Sequence, residues 1–196
     1  MPGFLKALQL TSDKPEGEGF DNSRQYVFKA KYPSVLTAKD DIIKIEISLR
    51  QPPIDKPINT EIKHFYQDPF TGEDLFPRGK ILSLSWNEAV AEKLKAAISR
   101  KDVAIRDYYD LWQIAETKFS FHNKRFIELF QKKLNGEGYQ GNFRRNFGLT
   151  QDKVALLHRR VETDLMPVIR ADEQFDLDKV FERFDQVLAH KSFQDK

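Results

Sequence analysis

The sequence predicts an α+β fold, with a small sheet in the first part of the chain and helices in the remainder. Two observations lead to this prediction. Before residue 85, apolar and polar residues alternate over short segments bounded by Pro and Gly, as they do in half-buried strands. After residue 85, apolar residues recur every three to four positions, which is typical of helices packed on a core. We therefore expect two parts, residues 1–85 and 86–196.

Four short strands are predicted in the first part. They cover residues 24–32, 42–50, 58–66 and 79–84. The second has the clearest alternation, because Ile43, Ile45, Ile47 and Leu49 share one face while charged residues and a serine share the other. The Gly- and Glu-rich stretch at 12–22 is predicted to be an exposed loop.

The helical part begins at a capping-box sequence. In Ser85-Trp86-Asn87-Glu88, the serine hydroxyl and the glutamate carboxylate would each accept a hydrogen bond from a backbone N–H at the helix start. Helices are predicted over residues 86–99, 105–117, 122–134, 150–165 and 177–190, with Gly and Pro at the breaks.

Composition excludes several classes of protein. The chain has 196 residues, no cysteine and a net charge of +2. It therefore has no disulfides, no thiol nucleophile and no thiolate metal site. The charge balance argues against a uniformly DNA-binding surface but allows local phosphate sites. No apolar run approaches the roughly 20 residues that span a bilayer, and no signal-peptide pattern is present. We expect a cytoplasmic protein with no membrane partner.

The first candidate site residue is Glu46, in the middle of the second predicted strand. A strand holds a carboxylate in a fixed position, and oxygen ligands suit Mg²⁺. The alternative is a solvent-facing polar strand face, on which Glu46 lies between Lys44 and Ser48. Strand pattern alone favours the alternative.

A second group of candidates lies on the first two predicted helices. Lys93 borders an apolar stripe, from which its ammonium would reach a nucleotide phosphate as a point charge. Lys95 has the pattern of an ordinary solvated lysine, and periodicity alone favours the same interpretation of Lys93. On the next helix Asp107 and Asp110 fall near the apolar side and need partners, which would be Arg106, Lys93 or a ligand. The alternative is structural: Asp107 favours the helix N-terminus and Arg106 pairs with Asp110 at i,i+4.

A basic and aromatic segment follows the third predicted helix. Arg144 and Arg145 are interleaved with Phe143 and Phe147 and form a cluster with Arg159 and Arg160, a composition that suits an RNA backbone and a stacked base. A solvated linker explains the arginines equally well.

The order and spacing of several of these segments resemble the nucleotidyltransferase-like AbiEii/AbiGii toxin family. The segments are 43–50, 84–97, Arg100 and 106–111, and the resemblance covers roughly residues 24–134 and the later helices more loosely. It implies a partial polymerase-beta-like nucleotidyltransferase sheet followed by a helical C-terminal part. It also implies the toxin of a bacterial abortive-infection or toxin–antitoxin pair, with an antitoxin protein as partner. Such a toxin transfers a nucleotide from an NTP to an acceptor, in some members tRNA, using Mg²⁺.

The resemblance assigns roles to matching positions. Glu46, Lys93 and Asp107 would be catalytic, with Glu46 also a metal ligand, and Lys93, Arg106 and Asp110 would bind the nucleotide. Carboxylates would hold the metal that bridges triphosphate oxygens, and a lysine would neutralise the leaving pyrophosphate. The basic residue that usually opens the last motif is matched here only by Ala104.

One departure from the family pattern decides what we expect of catalysis. The family carries an Asp-x-Asp pair after a Gly-Gly or Gly-Ser turn, whereas here the pair 176–178 opens a late helix and Asp40-Asp41 lacks the spacing. We expect the C-terminal two thirds of a family member, with an incomplete metal site and no activity alone. The alternative function is a non-enzymatic helical module that binds an antitoxin protein or RNA.

Overall fold

Two small antiparallel sheets and five α-helices make up the described part of this computed structural model, which covers residues 16–20, 24–33, 39–49, 51–63, 67–75 and 77–193. The α+β class is therefore confirmed. The chain divides into two units, Met1–Pro52 and Pro53–Lys196. The predicted boundary at residue 85 falls inside the second unit and stays a prediction. No helix among the described residues is long and apolar enough to cross a bilayer.

The first unit contains a three-stranded sheet. Its strands are β1 (Glu16–Phe20), β2 (Gln25–Pro33) and β3 (Asp40–Ser48), in the order β1-β2-β3. The register of β2 and β3 confirms the two predicted faces, because Ile43 lies opposite Ala30 and Ile45 opposite Phe28. Glu46 lies on the other face, opposite Val27.

Strand β1 corrects the predicted loop at 12–22. Residues 16–20 pair antiparallel with β2, so that Glu16 lies opposite Lys29 and Phe20 opposite Gln25. Gly and Glu have low strand propensity, but pairing with an existing strand satisfies their backbone groups and outweighs that preference. Residues 12–15 and 21–22 of the predicted loop lie outside the described residues.

The second unit begins with a two-stranded sheet of β4 (Ile58–Glu61) and β5 (Lys80–Ser83). Both strands were predicted, and β4 ends earlier than expected; residues 64–66 of its predicted span lie outside the described residues. The helices α1 to α5 follow, close to the predicted positions. They are Trp86–Ser99, Ile105–Ala115, Lys124–Gly136, Gln151–Arg160 and Leu177–Ala189, and a π-helical turn, Val161–Leu165, continues α4.

The core of the second unit lies between these helices and is rich in aromatic rings. Tyr108, Phe126, Phe130, Phe147 and Phe184 are fully buried. They meet mostly edge to face, as the charge distribution of aromatic rings favours; the centroids of Tyr108 and Phe147 are 5.1 Å apart at 85°.

Only half of the predicted capping box forms at the start of α1. Ser85 Oγ accepts a hydrogen bond from Glu88 N at 3.2 Å. The Glu88 carboxylate does not accept the expected hydrogen bond from the backbone N–H of Ser85. It accepts from the backbone N–H groups of Ile54 and Asp55 at 2.7 and 2.8 Å and pairs with Lys133 Nζ at 2.7 Å. Glu88 is fully buried, and an ion partner with two N–H donors compensates its desolvation better than one exposed N–H would.

Candidate functional site

Lys93 of α1 lies between two carboxylates of α2. Its Nζ is 2.5 Å from Asp110 Oδ2 and 3.9 Å from Asp107 Oδ1. Asp107 and Asp110 are three residues apart and so lie on the same face of their helix. The Lys93 side chain is 41% exposed, so its ammonium is held in place and still faces solvent. The structure thus brings together three of the predicted site residues.

Asp107 is the buried member of this group. Its side chain is 2% exposed, and Oδ2 lies 3.1 Å from Arg100 Nη1. This distance is that of an ion pair, but the angles are not those of a hydrogen bond, and Oδ2 has no hydrogen-bond partner among the described residues. Burial raises the pKa of the Asp107 carboxyl, although Arg100 and Lys93 oppose the effect. A buried carboxylate therefore faces two half-exposed cations.

Arg100 received no role from the sequence, and its position shows why it belongs to the site. It follows Lys93 by seven residues, which is two helical turns, and it caps the C-terminal end of α1. A side chain two turns further along lies on the same face of the helix. The spacing from Lys93 to Arg100 was the signal that could have found it.

Arg106 does not form the expected pair with Asp110. The two are an i,i+4 pair on α2, yet no ion pair joins them in the described structure, and Asp110 binds Lys93 instead. The Arg106 side chain is exposed. Lys93, from a neighbouring helix, takes the place that Arg106 would have had beside Asp110. The positive charge of Arg106 still acts to lower the pKa of Asp107.

Glu46 lies in the first unit, on the polar face of β3. Its side chain is 50% exposed and pairs with Lys44, two residues away on the same face. This environment is the one expected for a polar strand face. Its predicted roles as a metal ligand and as a catalytic partner of Lys93 and Asp107 stay predictions.

The described residues do not fit a Mg²⁺ centre by themselves. No three carboxylate or imidazole groups among them lie close enough together to hold a metal ion. Asp107 and Asp110 are engaged by Lys93 and Arg100, and cations in those positions would compete with a bound metal. The expected Mg²⁺ cofactor stays a prediction.

A second charged cluster is buried between α1 and α3 and has a structural role. Lys133 is 2% exposed, and its Nζ lies 2.7 Å from Glu88 Oε1 and 2.6 Å from Glu92 Oε1. Lys95 was expected to be solvated and is instead 8% exposed, with Nζ 2.7 Å from Glu92 and 2.8 Å from Glu137. The end of α3 covers Lys95. This contact is between helices, so the periodicity of α1 could not predict it.

The basic and aromatic segment divides into a buried and an exposed part. Phe147 is fully buried against Tyr108 and Phe184, so its ring is not available to stack a base. Arg144 and Arg145 are exposed. Their role in RNA binding stays a prediction.

A family model described as "Nucleotidyl transferase AbiEii toxin, Type IV TA system" matches residues 4–192. The chain belongs to the AbiEii family. Neither the curated proteins nor the solved structures gave a match. Membership confirms the family that the spacing of the motifs indicated, and the matched range extends the likeness of this AbiEii chain beyond α3 through the later helices. The family description makes it a nucleotidyltransferase-like protein of a toxin–antitoxin system, which supports an antitoxin as its partner.

Proposed function

We propose that the cluster of Lys93, Arg100, Asp107 and Asp110 binds the triphosphate of an NTP. The observation that carries this proposal is the placement of Lys93 and Arg100, both 41% exposed, around the buried carboxylate of Asp107. Two cations held on one side of a helix pair and open to solvent suit a polyanionic ligand.

The two aspartates would act as positioning residues. Asp110 holds the Lys93 ammonium through the contact at 2.5 Å, and Asp107 lies between Lys93 and Arg100 and opposes their mutual repulsion. A triphosphate would bind to cations that are already oriented, which lowers the entropy lost on binding. Exposed Arg106 would add a further positive charge beside the site.

We further propose that the bound NTP is the nucleotide donor for transfer to an acceptor RNA such as tRNA. The nucleotidyltransferase description of the family supports this reaction class. The sequence has one Asp-x-Asp, at 176–178, where Asp176 Oδ1 caps α5 by accepting hydrogen bonds from Asp178 N and Lys179 N. Metal ligands must therefore be supplied from elsewhere, and we expect this chain to bind NTP without transferring a nucleotide.

Calorimetric titration with each of the four NTPs, and with the matching nucleosides, tests the binding step. We expect an NTP to bind much more tightly than its nucleoside, and Lys93→Gln or Arg100→Gln to weaken binding about tenfold or more, because each removes a charged hydrogen-bond donor. Lys118→Gln, a neutralised exposed lysine outside the cluster, is the matched control. Equal affinities for wild type and Lys93→Gln would contradict the proposal, as would failure of every NTP to bind.

Incubation with Mg²⁺, labelled NTP and total tRNA tests the transfer step separately. We expect no labelled RNA from this chain. Robust labelling that Glu46→Ala abolishes would contradict the expected inactivity, while it would support the metal and catalytic roles of Glu46.

A further inference from the structure

A cleft with aromatic walls lies in the second unit, between the C-terminal half of α3 and the segment that follows it. Its volume is about 310 Å³, within the size range of small-molecule sites. Four aromatic side chains line it: Phe130, Tyr139, Phe143 and Phe193. Phe130 packs edge to face on Phe143 with centroids 5.6 Å apart, while Tyr139 and Phe143 are only half-buried. Two ring surfaces therefore border the open space.

The hydroxyl end of Tyr139 lies close to two glycines, where there is no room for a Cβ. A Cβ at Gly141 would lie 2.5 Å from Tyr139 Oη, and a Cβ at Gly148, where φ is +72°, would lie 2.9 Å from it. Any larger residue at Gly141 would push the ring from this position. Burial also raises the pKa of the Tyr139 hydroxyl, so the side chain stays neutral.

Hydrogen-bonding groups line the same cleft. Gln131 and Asn135 lie four residues apart on α3, and both border the space. Neither side-chain amide hydrogen-bonds to another described residue. An amide offers both donors and an acceptor, which matches the edge of a nucleobase.

One cation lines the cleft, and two more follow its wall in the sequence. Lys132 lines it, and Arg144 and Arg145 follow directly after Phe143 of its wall. Both arginine side chains are exposed, and within the described part of the chain neither pairs with a carboxylate. Glu128, the acidic residue of the lining, already has Arg125 Nη1 at 3.3 Å. Cations beside aromatic rings fit a ligand with a flat base and a phosphodiester.

We propose that this cleft binds an unpaired base of single-stranded RNA, with Tyr139 and Phe143 against the base. Gln131 and Asn135 contact the base edge, and Arg144 and Arg145 neutralise the flanking phosphates. The inference deepens the proposed function, because it rests on RNA as the acceptor and assigns to it a site distinct from the Lys93 cluster. An apolar peptide is the competing occupant, but it would offer no hydrogen-bond partners to the two amides and no negative charge to the arginines.

Fluorescence anisotropy with labelled RNA tests the proposal, using single strands of about ten nucleotides and the same sequence as a duplex. No NTP is present, so the outcome does not depend on the Lys93 cluster. We expect the single strand to bind more tightly than the duplex. Tyr139→Leu should weaken single-strand binding about tenfold, since it removes a stacking surface. Gln131→Ala with Asn135→Ala, both on the surface of α3, should weaken it about threefold or more.

Charge variants separate this site from general attraction to RNA. Arg144→Ala with Arg145→Ala should weaken binding and lower its salt dependence by about one to two released counterions. Lys118→Ala with Lys124→Ala removes the same charge at two exposed lysines outside the cleft and should have a much smaller effect. Thermal unfolding of each variant identifies any loss of folding, and the surface amide pair keeps the test decisive if Tyr139→Leu is unstable. Equal binding of duplex and single strand, equal effects of the two charge pairs, or no RNA binding would overturn the proposal.

Discussion

Asp107 Oδ2 lies 3.1 Å from Arg100 Nη1 inside the helical unit without making a hydrogen bond to it. This carboxylate is desolvated and only partly compensated, which is costly for a structural residue. Such a cost is more readily explained where the group orients cations for a ligand than where it serves stability alone.

The pH dependence of folding should reveal the cost of ionised Asp107. Its pKa is raised in the folded state from an ordinary 3.8, so ionisation favours the unfolded chain and this contribution to stability falls as pH rises above 3.8. Relative to Asp107→Asn, wild type should therefore lose stability between the acid and neutral ends of a urea-denaturation series. A difference that is constant with pH would contradict the assignment.

The buried Lys133 should be essential for stability. Lys133→Leu would leave the carboxylates of Glu88 and Glu92 without the ammonium that lies 2.7 and 2.6 Å from them. We expect the free energy of unfolding to fall by about 3 to 5 kcal/mol, measured by urea denaturation. The neighbouring Lys132 is exposed, and Lys132→Leu should change stability by less than about 0.5 kcal/mol. Similar losses in the two variants would show that the cluster contributes little.

Glu88 should make the protein sensitive to acid. Burial alone would raise its pKa, but the hydrogen bonds from Lys133, Ile54 and Asp55 hold the pKa below its ordinary value of 4.5. A lowered pKa contributes stability above 4.5 that is lost as pH falls through the folded-state pKa. Glu88→Gln should therefore be less stable than wild type at neutral pH and lose less stability on acidification. A steeper acid transition in Glu88→Gln would contradict this sign.

Ser85 should stabilise the start of α1. Ser85→Ala removes the acceptor for Glu88 N and the hydrogen bond that Ser85 Oγ donates to Asp55 Oδ2 at 2.8 Å. We expect a loss of about 1 kcal/mol in the free energy of unfolding. Ser120→Ala, at an exposed serine with no side-chain hydrogen bond in the described structure, should change it little. An equal effect at both serines would argue against a capping role.

Phe147 should affect folding and not RNA binding. It is fully buried and adopts a left-handed φ of 54°. Phe147→Leu should lower the free energy of unfolding by about 1 kcal/mol or more through lost packing, while folded protein binds single-stranded RNA as wild type does. A selective loss of RNA affinity at unchanged stability would contradict the assignment of Phe147 to the core.

Local pattern by itself determined the helices and the strands β2, β3 and β5, and it placed β4 in part. The family was indicated by the resemblance of several segments in order, and not by local pattern. Apolar spacing placed α1 and α5 nearly to the residue, since one buried face specifies the period of a helix. The resemblance to the family, and not the spacing alone, indicated that Lys93, Asp107 and Asp110 share a site. Strand β1 escaped detection because its Gly and Glu residues have little preference for strands, and only pairing with β2 stabilises it.

Tertiary structure alone decided which charges meet. The partner of Asp110 is Lys93 from another helix and not Arg106 from its own. The Glu88 carboxylate pairs with Lys133 and does not complete the capping box at the start of α1. At Glu88 the choice depends on desolvation, because a carboxylate that packing buries needs a cation beside it, and the neighbouring helix supplies one. Asp110 is 37% exposed, and its partner is set by the packing of α1 against α2, which brings the Lys93 ammonium within reach. Both partners lie at a distance in sequence that no local period encodes.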